Sequence, residues 1–278
     1  MAKLTKVQRK AHAEACKILA KDALSIDEKI FVLEHWHEGA EHMNGACGAH
    51  FTPAGLARDF AIDAGGGRRV IDLCAGIGGL GFWLDLDGRA GELVCVEVNP
   101  AYVEVGRKIL PQAQWICGDV FALPDLGRFD LAISNPPFGR SAARIARQGA
   151  RYTGASFEYH VMDMAADMAG RGAFIVPQAS ASFRFSGAAQ YTITQSEAVR
   201  ELYEQTGIEM AAGCGVDTSF YRNDWHDVAP LCEVVLCEFD EAQAYRAAHP
   251  PKASAARAMR CPQRAAVRDD GRQAALFV

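Results

Sequence analysis

The sequence lacks the features of a membrane or secreted protein. It contains no run of about 18 apolar residues, so no transmembrane helix is expected. Its N-terminus carries lysines and an arginine but not the apolar stretch of a secretory signal. The nine cysteines are odd in number and follow no regular spacing, which argues against a disulfide framework. We therefore expect a reduced, cytoplasmic chain.

An excess of positive charge is also missing, because the 278 residues carry a formal net charge of −5. A chain that binds a polyanion would have to gather its basic residues locally. One such group is Arg140, Arg144, Arg147 and Arg151, spaced four, three and four apart without an intervening acidic residue. On one helix face they could neutralise nucleic-acid phosphates; a solvated helix or loop is the alternative. The second basic group is the C-terminal segment 241–278.

Strand and helix patterns alternate from residue 68 onwards. Short apolar runs predict seven strands, at 69–74, 92–98, 113–119, 129–134, 173–176, 208–212 and 231–239. Helical patterns lie at 80–86, 101–110, 155–169 and 196–206. The alternation predicts an α/β, Rossmann-like, mostly parallel sheet with helices on both faces. We expect an N-terminal helical extension over 1–48, with Ser25 capping its second helix, a single α/β domain over 49–240, and a flexible basic tail over 241–278.

A glycine-rich loop follows the first predicted strand. Gly76, Gly78 and Gly81 form a G-x-G-x-x-G pattern, whose glycines let the backbone approach a nucleotide at the carboxyl edge of the sheet. The pattern alone fits NAD as well as S-adenosyl-L-methionine. Asp72, just before the loop, favours the latter, because a carboxylate suits a sulfonium and an amino group better than a diphosphate.

Two further acidic residues end the next two predicted strands. Glu97 is placed to accept hydrogen bonds from both ribose hydroxyls, and Asp119 to accept one from the adenine amino group. Because the carboxyl ends of parallel strands share one edge, Asp72, Glu97 and Asp119 are expected to line one cofactor site. Solvated acids at the loops of a Rossmann-like sheet are the alternative.

The fourth predicted strand stops at Asn135-Pro136-Pro137-Phe138. An exocyclic amine of a nucleic-acid base is a weak nucleophile, and a site can assist it by accepting both amine hydrogens. The Asn135 side-chain oxygen and the Pro136 carbonyl are suitable acceptors, with the prolines holding the backbone rigid. Phe138 offers a stacking face for a base taken out of its strand. A plain turn is the alternative.

The order of these motifs resembles that of the DNA adenine-N6 amino-methyltransferases, which have an upstream Phe-Thr-Pro, a glycine loop, acidic strand ends and Asn-Pro-Pro-Phe. The similarity covers residues 49–240 and implies a class I S-adenosyl-L-methionine-dependent enzyme that methylates N6 of adenine in DNA. It implies Asn135, Pro136, Pro137 and Phe138 as catalytic residues. The implied cofactor-binding residues are Phe51, Thr52, Pro53, Asp72, Cys74, Ala75, Gly76, Gly78, Glu97, Val98, Asp119, Val120 and Asn135.

Other members of this larger class share the Asn-Pro-Pro motif, so alternatives remain open. They are an RNA adenine-N6 or guanine-N2 methyltransferase and a protein glutamine methyltransferase. The chain has little sequence to spare for a target-recognition domain, and we therefore expect short or low sequence specificity. A bacterial or phage origin is favoured.

Two secondary signals complete the analysis. His35, His37, His42, Cys47 and His50 cluster in sequence, but their spacing matches no zinc pattern, so no metal is expected. The chain ends in a segment containing Gln273, Leu276 and Phe277, which resembles the peptide that binds the bacterial sliding clamp; a chance apolar end is the alternative.

Overall fold

The computed structural model describes residues 4–37, 50–139 and 149–250. The helices in these ranges are α1 Lys6–Leu19, α2 Ile26–His35, α3 Ala54–Ala64, α4 Gly79–Leu86, α5 Pro100–Ile109, α6 Phe157–Met168, α7 Glu197–Thr206 and α8 Phe239–Ala248. The strands are β1 Gly67–Leu73, β2 Ala90–Glu97, β3 Gln114–Cys117, β4 Phe129–Ser134, β5 Ala169–Pro177, β6 Phe183–Arg184, β7 Thr192–Ile193 and β8 Cys232–Glu238. None of the described helices is both long and apolar enough to cross a membrane.

One sheet organises the chain, with strand order β3-β2-β1-β4-β5-β8. All neighbours are parallel except β8, which runs antiparallel to β5. Asp72 pairs in register with Cys95 and Ile133, and Glu97 pairs with Cys117. The carboxyl ends of the first four strands therefore meet at one edge, as predicted, and the α/β Rossmann-like class is confirmed.

The expected strand at 208–212 is not formed, so the described residues build a sheet of six strands rather than seven. Only Ala211 pairs with β8, through two 2.8 Å hydrogen bonds with Leu236. The chain then turns away, because the backbone N–H of Cys214 donates to Asp63 on α3. A Cβ on the intervening Gly213 would overlap the Asp63 carboxylate, so glycine permits this departure.

Helices cover both faces of the sheet. α3, α4 and α5 pack on one face together with the two N-terminal helices, whose Ala15, Val32 and Leu33 belong to that core. α6, α7 and α8 pack on the other face. The first two helices start at Thr5 and Ser25, each forming a capping box, which agrees with the predicted Ser25 cap. The N-terminal extension therefore belongs to the core of the α/β domain.

The prediction of a flexible tail from residue 241 is wrong as far as residue 250. α8 packs against the sheet, and its Arg246 is buried with three hydrogen-bonding partners: Asp163, Asp167 and the carbonyl of Thr206. The alanine-rich sequence did not indicate this helix. The helix is held mainly by the ion pairs of Arg246 with Asp163 and Asp167 on α6, which lie far away in the sequence. Residues 251–278, with the proposed clamp-binding peptide, lie outside the described residues.

Candidate active site

A cavity of about 970 Å³ opens at the carboxyl edge of the sheet. It brings together most of the residues predicted for the cofactor and the target. Those that line it are Phe51, Thr52, Asp72, Cys74, Ala75, Gly76, Glu97, Val98, Asp119, Val120, Asn135, Pro136, Pro137 and Phe138. The lining does not include Pro53, which caps α3, or Gly78, which precedes α4.

The glycine loop between β1 and α4 requires left-handed backbone. Gly76 and Gly78 have φ angles of 57° and 89°, a region that costs residues with a Cβ. A Cβ on Gly76 would also lie 3.2 Å from two ring carbons of Phe51. The loop can therefore approach a ligand only with glycine at this position, and Phe51 packs directly over it.

Two buried carboxylates lie beside this loop. Asp72 is fully buried, and burial raises its pKa well above the usual range, outweighing the lowering by the Gly81 N–H. The Gly81 N–H is near enough to lower the pKa, but no residue in the described part of the chain donates to either oxygen in hydrogen-bonding geometry. Glu97 accepts from the backbone N–H groups of Gly76 at 2.9 Å and Asn99 at 2.8 Å, yet burial still raises its pKa.

This arrangement suits a ligand that carries positive charge at one end. An unpartnered buried carboxylate is costly, and a sulfonium or ammonium group placed beside it would offset that cost. Asp119 ends the neighbouring strand, with Oδ1 accepting from the backbone N–H of Phe121 at 2.9 Å. The residues present therefore fit S-adenosyl-L-methionine.

Asn135 lines the cavity between the residues expected to bind the cofactor, such as Gly76 and Glu97, and those expected to contact the target, such as Phe138. Its Nδ2 donates to Thr52 Oγ1 at 2.9 Å and to the backbone oxygen of His50 at 3.4 Å. Its Oδ1 is buried and accepts no hydrogen bond from any residue in the ranges 4–37, 50–139 and 149–250. A carbonyl oxygen accepts only from the NH₂ end of an amide, so the contact with His50 fixes which way the amide points. The oxygen is left as an acceptor without a donor.

The loop that carries Asn135 is held at both ends. The Ser134 hydroxyl donates to the Leu73 carbonyl, tying the end of β4 to the end of β1. The Gly139 carbonyl accepts from the N–H of Phe157 at 3.1 Å, tying the loop to α6. The acceptor is thus presented by backbone that is anchored on two sides.

Sequence reasoning missed several residues of the cavity. Trp225 comes from the polar segment before β8, and its ring lies 6.5 Å from that of Phe138, centroid to centroid. Its indole N–H is buried and finds no acceptor among the residues that the structure describes. Further lining residues that were not predicted include Leu33, His50, Tyr102, Val228 and Pro230. A lone tryptophan in a polar stretch is the one signal that could have drawn attention to this segment.

The contacts of Arg151 differ from the phosphate contact expected for it. Its guanidinium donates to the carbonyls of Arg246 and His249, at the end of α8, at 3.4 and 3.2 Å. This geometry favours helix capping over phosphate contact. Arg140, Arg144 and Arg147 lie outside the described residues, as do His42 and Cys47.

Comparisons with known proteins agree with this fold. Residues 56–153, about a third of the chain, match the family model for the methyltransferase small domain. A protein of Listeria monocytogenes described as a class I S-adenosylmethionine-dependent methyltransferase aligns with a TM-score of 0.50 and 11% identity, over 83% of this chain and 88% of its own. The fold is that of the class I S-adenosylmethionine-dependent methyltransferases. Both findings agree with S-adenosyl-L-methionine as the cofactor.

Two further structures align less well. A protein of Pyrococcus horikoshii described as an RNA methyltransferase has 17% identity and a TM-score of 0.43, over 83% of this chain and 97% of its own. The N-terminal domain of EvdMO1, solved with SAH bound, has 14% identity and a TM-score of 0.43, over 86% and 97%. No curated protein sequence matches the chain at a significant level.

Proposed function

We propose that this chain is an S-adenosyl-L-methionine-dependent methyltransferase that methylates N6 of adenine in DNA with short or low sequence specificity. The observation that supports it most directly is the Asn135 side-chain oxygen, a buried acceptor that receives no hydrogen bond from the described residues and lies beside the predicted cofactor pocket. Leaving a buried polar atom unpaired costs about 1–3 kcal/mol. A site retains such an atom where a ligand supplies the partner.

The partner that fits is an amine hydrogen of the target. The Asn135 oxygen and the Pro136 carbonyl can accept the two hydrogens of one NH₂ group, which orients the nitrogen lone pair out of the plane of its base. S-adenosyl-L-methionine, when bound, supplies the electrophilic methyl group. As the nitrogen forms its bond to that methyl group, the bond from the methyl group to the sulfonium sulfur would break and S-adenosylhomocysteine would leave as a neutral thioether. The methylated nitrogen then releases one proton to water, so no strongly basic side chain is required.

The carboxylates hold the donor on the opposite side. Asp72 would face its positive charge, Glu97 its ribose hydroxyls and Asp119 its adenine amino group. Each of these residues lines the same cavity as Asn135, so donor and acceptor would share one cavity.

The aromatic lining favours a base over a small side-chain amide. Phe138 and Trp225 offer two ring faces near Asn135, and a flipped base is held by stacking of this kind. The order of the sequence motifs favours DNA over RNA as the substrate. Phe51-Thr52-Pro53 precedes the glycine loop, and Thr52 bonds the catalytic amide directly. Arg140, Arg144 and Arg147 remain candidates for phosphate contact, and the segment with Gln273, Leu276 and Phe277 remains a candidate for the sliding clamp.

Labelled S-adenosyl-L-methionine tests the proposal when the purified chain is incubated with duplex DNA, single-stranded DNA, RNA or protein. We expect transfer to DNA. Asn135→Ala should abolish transfer while the cofactor dissociation constant stays within about threefold. Asn223→Ala, an exposed asparagine outside the cavity, is the matched control and should remain active. Label in RNA alone or in protein glutamine would replace the DNA assignment, and an active Asn135→Ala enzyme would end the account of Asn135.

A further inference from the structure

The N-terminal helices contact the segment that precedes β8. The rings of His37 and His226 are stacked, with centroids 4.3 Å apart and an interplanar angle of 12°. His226 Nε2 lies 3.2 Å from the backbone oxygen of Glu34, and His37 Nε2 lies 3.7 Å from the Asp227 carboxylate. These contacts join residues 26–37 to residues 213–231, which lie almost two hundred residues apart in the sequence.

The same N-terminal segment forms part of the cofactor pocket. Trp36, next to His37, packs against Phe51 at 5.8 Å and against Tyr102 edge-on at 5.7 Å. Phe51 and Tyr102 line the cavity, as does Leu33 of α2. Phe51 in turn covers Gly76 of the glycine loop. A ligand that contacts Phe51 would therefore restrict the position of the Trp36 ring and of its neighbour His37.

The other half of the stacked pair adjoins the target side. Trp225, the residue before His226, lines the cavity beside Phe138, and their rings are tilted by 54° with centroids 6.5 Å apart. Two hydrogen bonds close this segment on itself: Thr218 Oγ1 donates to the Cys232 carbonyl at 2.6 Å, and Arg222 Nε donates to the Ala229 carbonyl at 3.1 Å. Between them Trp225 is buried in the core, and its neighbour His226 joins the same stretch to the N-terminal segment.

We propose that His37 and His226 are positioning residues that couple the cofactor pocket to the target pocket. Cofactor contact with Phe51 fixes Trp36 and His37, the stacked rings transmit this to His226, and Trp225 is held in place for the target. The inference rests on the proposed function for the identity of the target. The contacts form a continuous route between the two sites, and thermodynamics requires coupling between their ligands to be reciprocal.

Hydrogen exchange with S-adenosylhomocysteine tests the coupling without a nucleic acid. In the native chain the ligand should slow exchange at least about fivefold in residues 216–230 as well as in 26–37. His226→Ala should lose the effect in 216–230 and keep it in 26–37, whereas His226→Phe, which retains a flat ring, should restore it. His226→Asn, which also removes the ring, serves if the alanine variant does not fold. Protection of 216–230 that persists without the ring would overturn the proposal, because direct ligand contact would then explain it.

A second measurement uses the target. The dissociation constant of S-adenosylhomocysteine is determined with and without an adenine-containing oligonucleotide. We expect tightening of about fivefold or more in the native chain and less than twofold in His226→Ala. His249→Ala removes a similar stacked ring, against Tyr245 on α8, and should retain the native tightening. An unchanged ratio in His226→Ala contradicts the coupling. A chain that binds and methylates no nucleic acid contradicts the proposed function instead, and the exchange result still decides the coupling.

Discussion

Thr52 provides the sharpest test of how Asn135 is oriented. Its hydroxyl is the nearer of the two acceptors for Asn135 Nδ2, at 2.9 Å against 3.4 Å for the His50 carbonyl. Thr52→Val keeps the shape of the side chain but removes this acceptor. A neutral hydrogen bond contributes about 1 kcal/mol, and leaving a buried donor unpaired costs about 1–3 kcal/mol. Since the longer contact to His50 remains, we expect a loss of about 1–2 kcal/mol.

This loss should appear in the chemical step. With its amide less constrained, Asn135 can turn its NH₂ group towards the target amine, where it repels instead of accepting. An energy of 1–2 kcal/mol corresponds to a decrease in kcat of about 5–30-fold. Single-turnover methyl transfer measures the decrease, and calorimetric titration of the cofactor in parallel should show a dissociation constant within about twofold of the native value.

Thr52→Ser is the matched control, because it retains the hydroxyl and should stay within about threefold of native kcat. Two results would refute the reasoning. One is a Thr52→Val enzyme with native kcat, which would mean that Thr52 does not orient the amide. The other is a cofactor affinity that falls in step with kcat, which would place the role of Thr52 at the cofactor.

The remaining predictions concern the cofactor pocket, the fold and the tail. A bound cation stabilises the charged form of Asp72, whose pKa is raised in the free protein by burial; binding should therefore release a proton and tighten as pH rises towards that raised pKa, and Asp72→Asn should flatten this dependence in calorimetric titrations. Gly76→Ala should weaken cofactor binding at least about tenfold by the same titration, because it adds a Cβ at positive φ and 3.2 Å from the Phe51 ring; native affinity would contradict the close approach. Arg246→Met leaves the buried Asp163 carboxylate without its cation and should lower the free energy of unfolding by about 3–5 kcal/mol in urea titrations; a loss below about 1 kcal/mol would mean that α8 is dispensable. Deleting residues 273–278 should weaken binding to a bacterial sliding clamp in surface plasmon resonance, and an unchanged affinity would remove the clamp from the account.

The sequence allowed the sheet edge and much of the site to be predicted, because those residues sit in local motifs at strand ends. Asp72, Glu97 and Asn135 each follow a short apolar run, and parallel strands bring such positions to one edge. Their proximity in space could therefore be predicted from the order of the strands and helices.

Other features depended on contacts between distant segments. Trp225 and Leu33 reach the cavity only through tertiary packing, so no local pattern indicated them. The strand expected at 208–212 has the right apolar residues, but the bond from Cys214 to Asp63 ends its pairing after one bridge. The composition around α8 is typical of a tail, and the burial of Arg246 against α6 decides otherwise. In each case the deciding partner lies far away in the sequence.

The most direct test of the central claim is to identify the methylated nucleoside. Duplex DNA is incubated with S-adenosyl-L-methionine and either the native chain or Asn135→Ala, digested to nucleosides and analysed by mass spectrometry. The account predicts N6-methyladenosine in its deoxy form with the native chain and none with the variant. A methyl group on a ring carbon or ring nitrogen, or N6-methylation that survives the loss of the Asn135 amide, would contradict it.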